Sequence, residues 1–160
     1  MQKKNESGRS LVEMVGVLAL MGLITAAAFV VLQSGLGSQK RSRASDEIDI
    51  IASNVRAMVA QGDESKPFKS LPELNGGACG AENYEDAKSL AQALLKSEKG
   101  ATPFDKSSWY AVGSVDGTTF SVVLGGIPSD ECQSVGSKAY SHGTGQCCEG
   151  GKIAVITFDE

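Results

Sequence analysis

A long uncharged run dominates the pattern of hydrophobic and polar positions. Nineteen consecutive residues, from Met14 to Leu32, carry no charged side chain. At 1.5 Å of rise per residue, this run makes a helix about 28 Å long, close to the thickness of the hydrocarbon core of a bilayer. The pattern therefore predicts a membrane-spanning helix. Glu13 stands at its N-terminal edge, where an ionised carboxylate costs about 1 to 3 kcal/mol, so this residue is a candidate functional site that needs a cationic partner.

The chain beyond the uncharged run has apolar residues at helical spacing. This period predicts an amphipathic helix that continues the first one over residues 35–62 and packs its apolar stripe on the domain that follows. Gly35 and Gly37 interrupt the run and each costs about 1 kcal/mol relative to alanine, so we expect the helix to bend or melt there. The stripe consists of Ile48, Ile51, Ala52, Val55, Met58 and Val59.

Residues 63–160 have the pattern of a small domain. Two prolines and three glycines predict a loop over Asp63–Gly80. Asn83 is a candidate N-cap for a second helix, with Gly100 just after its end. The apolar positions of that helix, which we expect to face inward, are Ala87, Leu90, Ala91, Leu94 and Leu95.

The apolar period changes to two after Pro103, which predicts β-strands. Val115-Asp116-Gly117 is a turn signal for an antiparallel hairpin. We expect a glycine-rich loop over Gly143–Gly151. The predicted strands are Trp109–Gly113, Thr118–Leu124, Ile153–Phe158 and, more weakly, Gly136–His142. The expected fold is α+β: a long N-terminal helix packed on an antiparallel sheet of three to four strands, with a C-terminal loop that disulfides staple.

The four cysteines all follow the uncharged run: Cys79, Cys132, Cys147 and Cys148. An even count in a small exported domain favours disulfides. Because adjacent cysteines rarely pair with each other, two connectivities remain. Either Cys132 pairs with Cys147 and Cys79 with Cys148, or the two partners are exchanged. A zinc site is the alternative, but the sequence has no C-x-x-C and His142 is its only histidine.

Charge and motifs argue against several functional classes. The net charge of −4 gives no general nucleic-acid surface. The only basic cluster is Lys40, Arg41 and Arg43, and basic residues on both sides of the apolar run leave its topology open. No spacing of nucleophile, base and acid indicates an enzyme, and none indicates a metal or cofactor site. We therefore expect a protein without catalytic activity or cofactors.

The residues before the apolar run resemble a known processing signal. A short leader with Lys3 and Lys4 ends at Gly8, and Glu13 follows at the fifth position after that glycine. Together with the apolar run, they are similar to the class III signal peptide of type IV pilins and pseudopilins, over about residues 3–33. This resemblance implies that a prepilin peptidase cuts after Gly8 and that the hydrophobic helix remains in the mature protein, with Arg9 as its first residue. Methylation of the new amino terminus goes with this processing in the family, and the sequence leaves it open at Arg9.

Arg9 departs from the family, which usually has phenylalanine, methionine or another apolar residue at this position. Arg9 and Glu13 are four residues apart and therefore share one helical face. The guanidinium can shield the carboxylate within its own chain, where the family would use the free amine of a neighbouring subunit.

A second, fainter likeness lies in Gly126–Gln133. Type IVb pilins commonly place a cysteine at the start of a short helix after a strand, here with Ser129 or Asp130 as the cap. The resulting domain map is a leader over residues 1–8, a transmembrane or filament-core helix over 9–34, its amphipathic continuation over 35–62, and a globular head over 63–160.

The resemblance implies a structural subunit of a type IV pilus, major or minor. Its partners would be other pilin subunits, the prepilin peptidase and the bacterial inner membrane, which it would leave for an extracellular pilus. Two alternatives stay open at this point. One is a pseudopilin of a type II secretion system. The other is a binding domain that never polymerises and is either tethered to the membrane or secreted. A secreted domain would be released by a signal peptidase that cuts after Ala26-Ala27-Ala28.

Overall fold

The computed structural model of this protein describes residues 6–60, 67–74, 77–80, 84–96 and 102–159. The chain forms two compact units, Met1–Gln39 and Lys40–Glu160, which we call the helical unit and the head unit. The fold is α+β, as the sequence predicts. Its elements are α1 (Glu6–Val59), α2 (Tyr84–Leu95), β1 (Trp109–Ser114), β2 (Phe120–Gly125), α3 (Ser129–Gly136), β3 (Gly143–Cys147) and β4 (Ile153–Phe158).

Helix α1 is continuous through both of its suspect glycines. Gly35 and Gly37 are helical, so the expectation that the helix melts there is wrong. A helix that is already nucleated gains one hydrogen bond per added residue, and this offsets the cost of about 1 kcal/mol at each glycine.

The C-terminal part of α1 provides one wall of the head unit's core. Its predicted apolar stripe is buried from Ile48 through to Val59, and Ala44, one turn before Ile48, is buried as well. Met58 is the exception, because its side chain is 46% exposed at the edge of the stripe. The stripe packs with one side of the sheet, where the largest partners are Tyr110, Val112, Phe120, Val122, Leu124, Ile156 and Phe158.

The sheet has four antiparallel strands in the order β1-β2-β4-β3. The predicted hairpin is confirmed, with Trp109 opposite Gly125 and Ser114 opposite Phe120. Gly117 in its turn has a φ of +79°, a conformation that favours glycine. The residues that alternate with these along the strands, including Ala111 and Val123, belong to the other side of the sheet. They pack in a second cluster with α2 and the segment before it.

The fourth strand is not where the sequence predicted it. Residues Gly136–His142 contain no strand, and the strand instead occupies Gly143–Cys147, within the expected loop. Its glycines permit close packing: a Cβ on Gly145 would lie 2.5 Å from the carbonyl oxygen of Gly136. A Cβ on Gly143 would lie 2.7 Å from the ring of Phe158. Because close packing at these positions requires glycine, the segment lacks the alternating apolar residues from which the sequence would predict a strand.

The two short helices agree with prediction in position and differ at one cap. Helix α2 buries Ala87 and Ala91, as expected, while Asn83 and Gly100 lie outside the described residues. Helix α3 follows β2, as the fainter likeness implied. Its N-cap is Pro128, which has no side chain that can cap, so neither Ser129 nor Asp130 has the predicted role.

Candidate membrane-insertion and assembly site

The apolar part of α1 is exposed on every side. Every side chain from Leu11 to Leu32 is exposed. The large apolar side chains from Leu11 to Leu36 are 54% to 71% exposed. Soluble monomers rarely present a contiguous apolar surface of this size, so this segment needs lipid or protein around it.

One helix among the described residues is long and apolar enough to cross a membrane. It spans Leu11–Val59, and its most apolar window has a mean hydropathy of 2.6 with none of its residues buried. By length and composition, the predicted transmembrane segment is therefore a candidate membrane span.

Glu13 lies at the N-terminal end of this exposed segment. Its side chain is exposed. The two ion pairs between described side chains are Arg41–Glu131 and Lys88–Glu85, and Glu13 belongs to neither. Gly8 and Arg9 lie within α1, but their side-chain surroundings are outside the described structure, as are residues 1–5 of the leader. The helical backbone places Arg9 one turn before Glu13, which keeps the predicted spacing.

All four cysteines form disulfides within the head unit. Cys79 pairs with Cys148 and Cys132 with Cys147, each with a Cα–Cα distance of 5.6 Å. This is one of the two connectivities that the sequence left open. The first bond joins the segment before α2 to the end of the sheet, and the second joins α3 to β3. Because all four cysteine sulfurs are in disulfides, no cysteine is a thiolate ligand for zinc.

The sequence did not predict the ion pair that joins α1 to α3. The Nε atom of Arg41 lies 2.6 Å from Oε2 of Glu131, and Glu131 is buried. The hydrogen bond and negative charge of Glu131 raise the pKa of Arg41. The partners are 90 residues apart, so no local pattern could have paired them. Arg41 thus differs from the other two residues of its basic cluster, because it has a partner inside the head unit.

A second, partly buried contact joins α1 to β1. The hydroxyl of Tyr110 donates a hydrogen bond of 2.7 Å to Oε2 of Glu47. Burial and the charge of Glu47 raise the pKa of Tyr110. Together with the buried stripe, this bond fixes which side of α1 faces the sheet.

A shallow depression of about 660 Å³ lies between α3 and the turn after β3. Its walls are polar and apolar in about equal parts, and Asp130 is the one charged residue among those that line it. His142, the only histidine, is exposed outside it. Within the described residues, no group of histidine, cysteine and carboxylate side chains could hold a metal ion.

The hairpin turn contains a carboxylate with a perturbed pKa. Oδ1 of Asp116 accepts hydrogen bonds from the backbone N–H groups of Thr118 at 2.9 Å and Thr119 at 3.0 Å. These bonds favour the charged form and lower the pKa of Asp116 to about 2 from its ordinary 3.8.

We expect the Asp116 carboxyl to titrate near pH 2 in the folded protein, as followed by NMR. Its pKa is lower in the folded state than in the unfolded state, so its contribution to stability is present above pH 3.8 and is lost as the pH falls towards 2. Asp116→Asn should remove this part of the pH dependence of unfolding. A wild-type titration midpoint at or above 3.8 would contradict the assignment.

The fold defines a class of architecture: a long N-terminal apolar helix whose C-terminal part packs on an antiparallel sheet is pilin-like. Comparison with protein-family models and with curated proteins finds no match.

Proposed function

We propose that this protein is a structural subunit of a type IV pilus or a related filament. The first part of α1 would hold it in a membrane after processing and then pack in the filament core. The observation that carries the proposal is the exposed apolar segment from Leu11 to Leu36 with the single carboxylate Glu13 at its edge. A simple anchor needs the apolar surface but has no use for the carboxylate.

Small residues in this segment support packing between helices. A Cβ on Gly16 or Gly22 would meet nothing within 4 Å, so each glycine leaves a notch on the helix surface. Ala26-Ala27-Ala28 adds a further narrow stretch. In a membrane or a filament core, such positions let helix backbones approach closely.

Glu13 would then set the register between subunits. Removing one partner of a buried ion pair costs about 3 to 5 kcal/mol, because an uncompensated charge remains. Subunits packed out of register would leave Glu13 in that state. Its candidate partners are the amino group of Arg9 after cleavage, the guanidinium of Arg9, or both.

The two disulfides suit a domain displayed outside the cell. They close chain separations of 69 and 15 residues. Such bonds stabilise a domain by about 2 to 4 kcal/mol each, mainly by restricting the unfolded chain, and they persist in oxidising compartments.

Replacing Gly8 with leucine should block processing. The glycine is the residue that the resemblance places before the scissile bond, and a branched side chain would not fit a site that accepts glycine. Intact-mass measurement should then find a precursor heavier by the eight-residue leader. Unchanged processing in this variant would contradict cleavage after Gly8.

The function itself is tested by comparing sheared extracellular material with the membrane fraction, in cells that contain a filament assembly system. We expect wild-type protein in high-molecular-weight extracellular material, with Arg9 as its first residue. Membrane-bound protein that begins at Met1 would indicate an unprocessed anchor, and soluble protein that begins at Phe29 would indicate a secreted domain. Processed protein absent from the extracellular fraction would also overturn the proposal.

A further inference from the structure

The two edges of the sheet differ in how their backbone groups are bonded. At the β1 edge, the N–H of Ser114 donates to the carbonyl oxygen of Pro72, and the N–H of Leu74 donates to the carbonyl oxygen of Ser114, both at 2.9 Å. Tyr110 and Val112, whose backbone groups point the same way as those of Ser114, are buried. The rest of the head unit therefore covers the β1 edge.

The outward-facing backbone of Gly143–Cys147, which we call the β3 edge, is not paired in this way. The N–H of Cys148 donates to the carbonyl oxygen of Ile153 at 2.9 Å, so the even-numbered residues of β3 bond to β4 and the odd-numbered residues point away from it. The backbone groups of Gly145 and Cys147 have no hydrogen-bond partner among the residues that the structure describes. Such groups can pair with an added strand.

Helix α3 packs on the face of β3 rather than against its edge. A Cβ on Gly136 would lie 2.7 Å from the carbonyl carbon of Gln146, 3.0 Å from the carbonyl oxygen of Gln146 and 2.8 Å from the nitrogen of Cys147. Because these three distances are nearly equal, Gly136 lies above the flat side of this peptide group. An N–H bond lies in the plane of its peptide group, so Gly136 does not block the direction in which Cys147 donates.

The depression beside α3 adjoins the C-terminal end of the β3 edge, because Cys147 lines it. Asp130 also lines it, is exposed, and belongs to neither ion pair of the described side chains. The adjoining turn adds one charge of each sign, Glu149 and Lys152, and the carboxylate that follows Asp130 is already paired with Arg41. This end of the edge is therefore net negative and favours a basic partner.

We propose that the β3 edge docks an extended segment of a partner polypeptide as a fifth strand, antiparallel to β3, with a lysine or arginine of that segment paired with Asp130. Gly145 and Cys147 each exchange two hydrogen bonds with the added strand, the mode of recognition known as strand addition. All neighbouring strands in the sheet are antiparallel, so the added strand continues the same pattern. Its N-terminal part then lies at Cys147, beside Asp130.

A second copy of this chain is a poorer occupant of the β3 edge. Two such edges that pair in antiparallel fashion are related by a two-fold axis perpendicular to the sheet, which reverses the direction of α1 along the sheet face. Copies that share a membrane through α1 are parallel and cannot pair in this way. Parallel pairing would instead bring the Asp130 carboxylates of both copies together.

The test measures binding of a synthetic peptide to the full-length protein in detergent. The probe is a short peptide of alternating threonine and valine, a composition that favours strands, with a lysine near its N-terminus. At a peptide concentration of about ten Kd, we expect hydrogen exchange at the N–H groups of Gly145 and Cys147 to slow about tenfold. Exchange at Thr144 and Gln146, which bond to β4, should not change.

N-methylation of the probe provides matched controls, because a methyl group removes one donor and leaves the side chains unchanged. Methylation of the alternate nitrogens that face β3 should abolish binding, whereas methylation of the other alternate set should leave it intact. A probe that binds equally well with either set methylated would overturn strand addition.

Asp130→Asn tests the charge that selects the partner. The variant should bind the lysine probe about threefold to fivefold more weakly, the effect of one exposed ion pair, and should not change the binding of a probe with its lysine moved to the C-terminus. Asp86→Asn is the matched control, because Asp86 is also an exposed carboxylate in the first turn of a helix. Equal binding of the lysine probe to wild type and Asp130→Asn would overturn the pairing with Asp130.

The outcomes are independent of the proposed function, because the β3 edge lies wholly within the head unit. Absence of probe binding would overturn this inference and leave filament assembly as proposed. Dimers of the protein alone that slow exchange at Gly145 and Cys147 would make a second copy the occupant, which would also overturn it.

Discussion

Replacing Glu13 with alanine is expected to reduce the assembled fraction at least about tenfold while leaving the protein inserted, processed and folded. Glu13 lies in the exposed apolar segment of the helical unit, and the folded core and both disulfides lie in the head unit. Its loss should therefore not affect folding. In a filament it leaves a buried cation of the neighbouring subunit unpaired, at a cost of about 3 to 5 kcal/mol before relaxation. The measurement is the ratio of sheared extracellular to membrane-bound protein.

Arg9→Ala identifies the partner of Glu13. If the guanidinium of the same chain neutralises Glu13, the Glu13→Ala defect will be mild and Arg9→Ala will assemble poorly. If the amino terminus of a neighbour is the partner, Arg9→Ala will assemble normally. Glu13→Gln serves as the matched control, because it keeps the shape and removes the charge. Assembly of Glu13→Ala at the wild-type level, with Arg9→Ala also normal, would remove Glu13 from the assembly mechanism.

The second large effect is expected when the Cys79–Cys148 disulfide is removed. Its ends are 69 residues apart, against 15 for Cys132–Cys147. The loop-closure relation gives about 4 kcal/mol for the longer loop and about 3 kcal/mol for the shorter one. We expect Cys79→Ala/Cys148→Ala to lower the free energy of unfolding by more than Cys132→Ala/Cys147→Ala does. Denaturant unfolding of the full chain in detergent, followed by near-UV circular dichroism, measures both.

Burial makes the comparison informative. Cys132 is fully buried within α3, whereas Cys79 is exposed. If lost packing outweighs chain entropy, the order of the two variants reverses, because a cavity forms where Cys132 was. Alkylation of the unreduced, denatured wild-type protein should label no cysteine. Two or more reactive thiols in that sample would contradict the disulfide assignment and the prediction drawn from it.

The sequence by itself determined the features that depend on near neighbours in the chain. The uncharged run from Met14 to Leu32 and the apolar stripe of α1 follow from the spacing of side chains on one helix. The hairpin at Val115-Asp116-Gly117 and helix α2 likewise follow from turn chemistry and periodicity. Adjacent Cys147 and Cys148 reduced the disulfides to two arrangements. Each of these inferences needed only residues a few positions apart.

Only the tertiary structure decided the features that depend on distant segments. It selected between the two disulfide arrangements, paired Arg41 with Glu131, and placed the fourth strand at Gly143–Cys147. Local propensity did not predict this strand, because it contains Gly143 and Gly145. A side chain at either position would clash with Phe158 or with the backbone of Gly136, which are distant in the sequence. The same holds for the orientation of α1 in the head unit. Periodicity gives a helix two sides, but the contacts of Glu47 with Tyr110 and of Arg41 with Glu131, both far along the chain, decide which side faces the rest of the head unit.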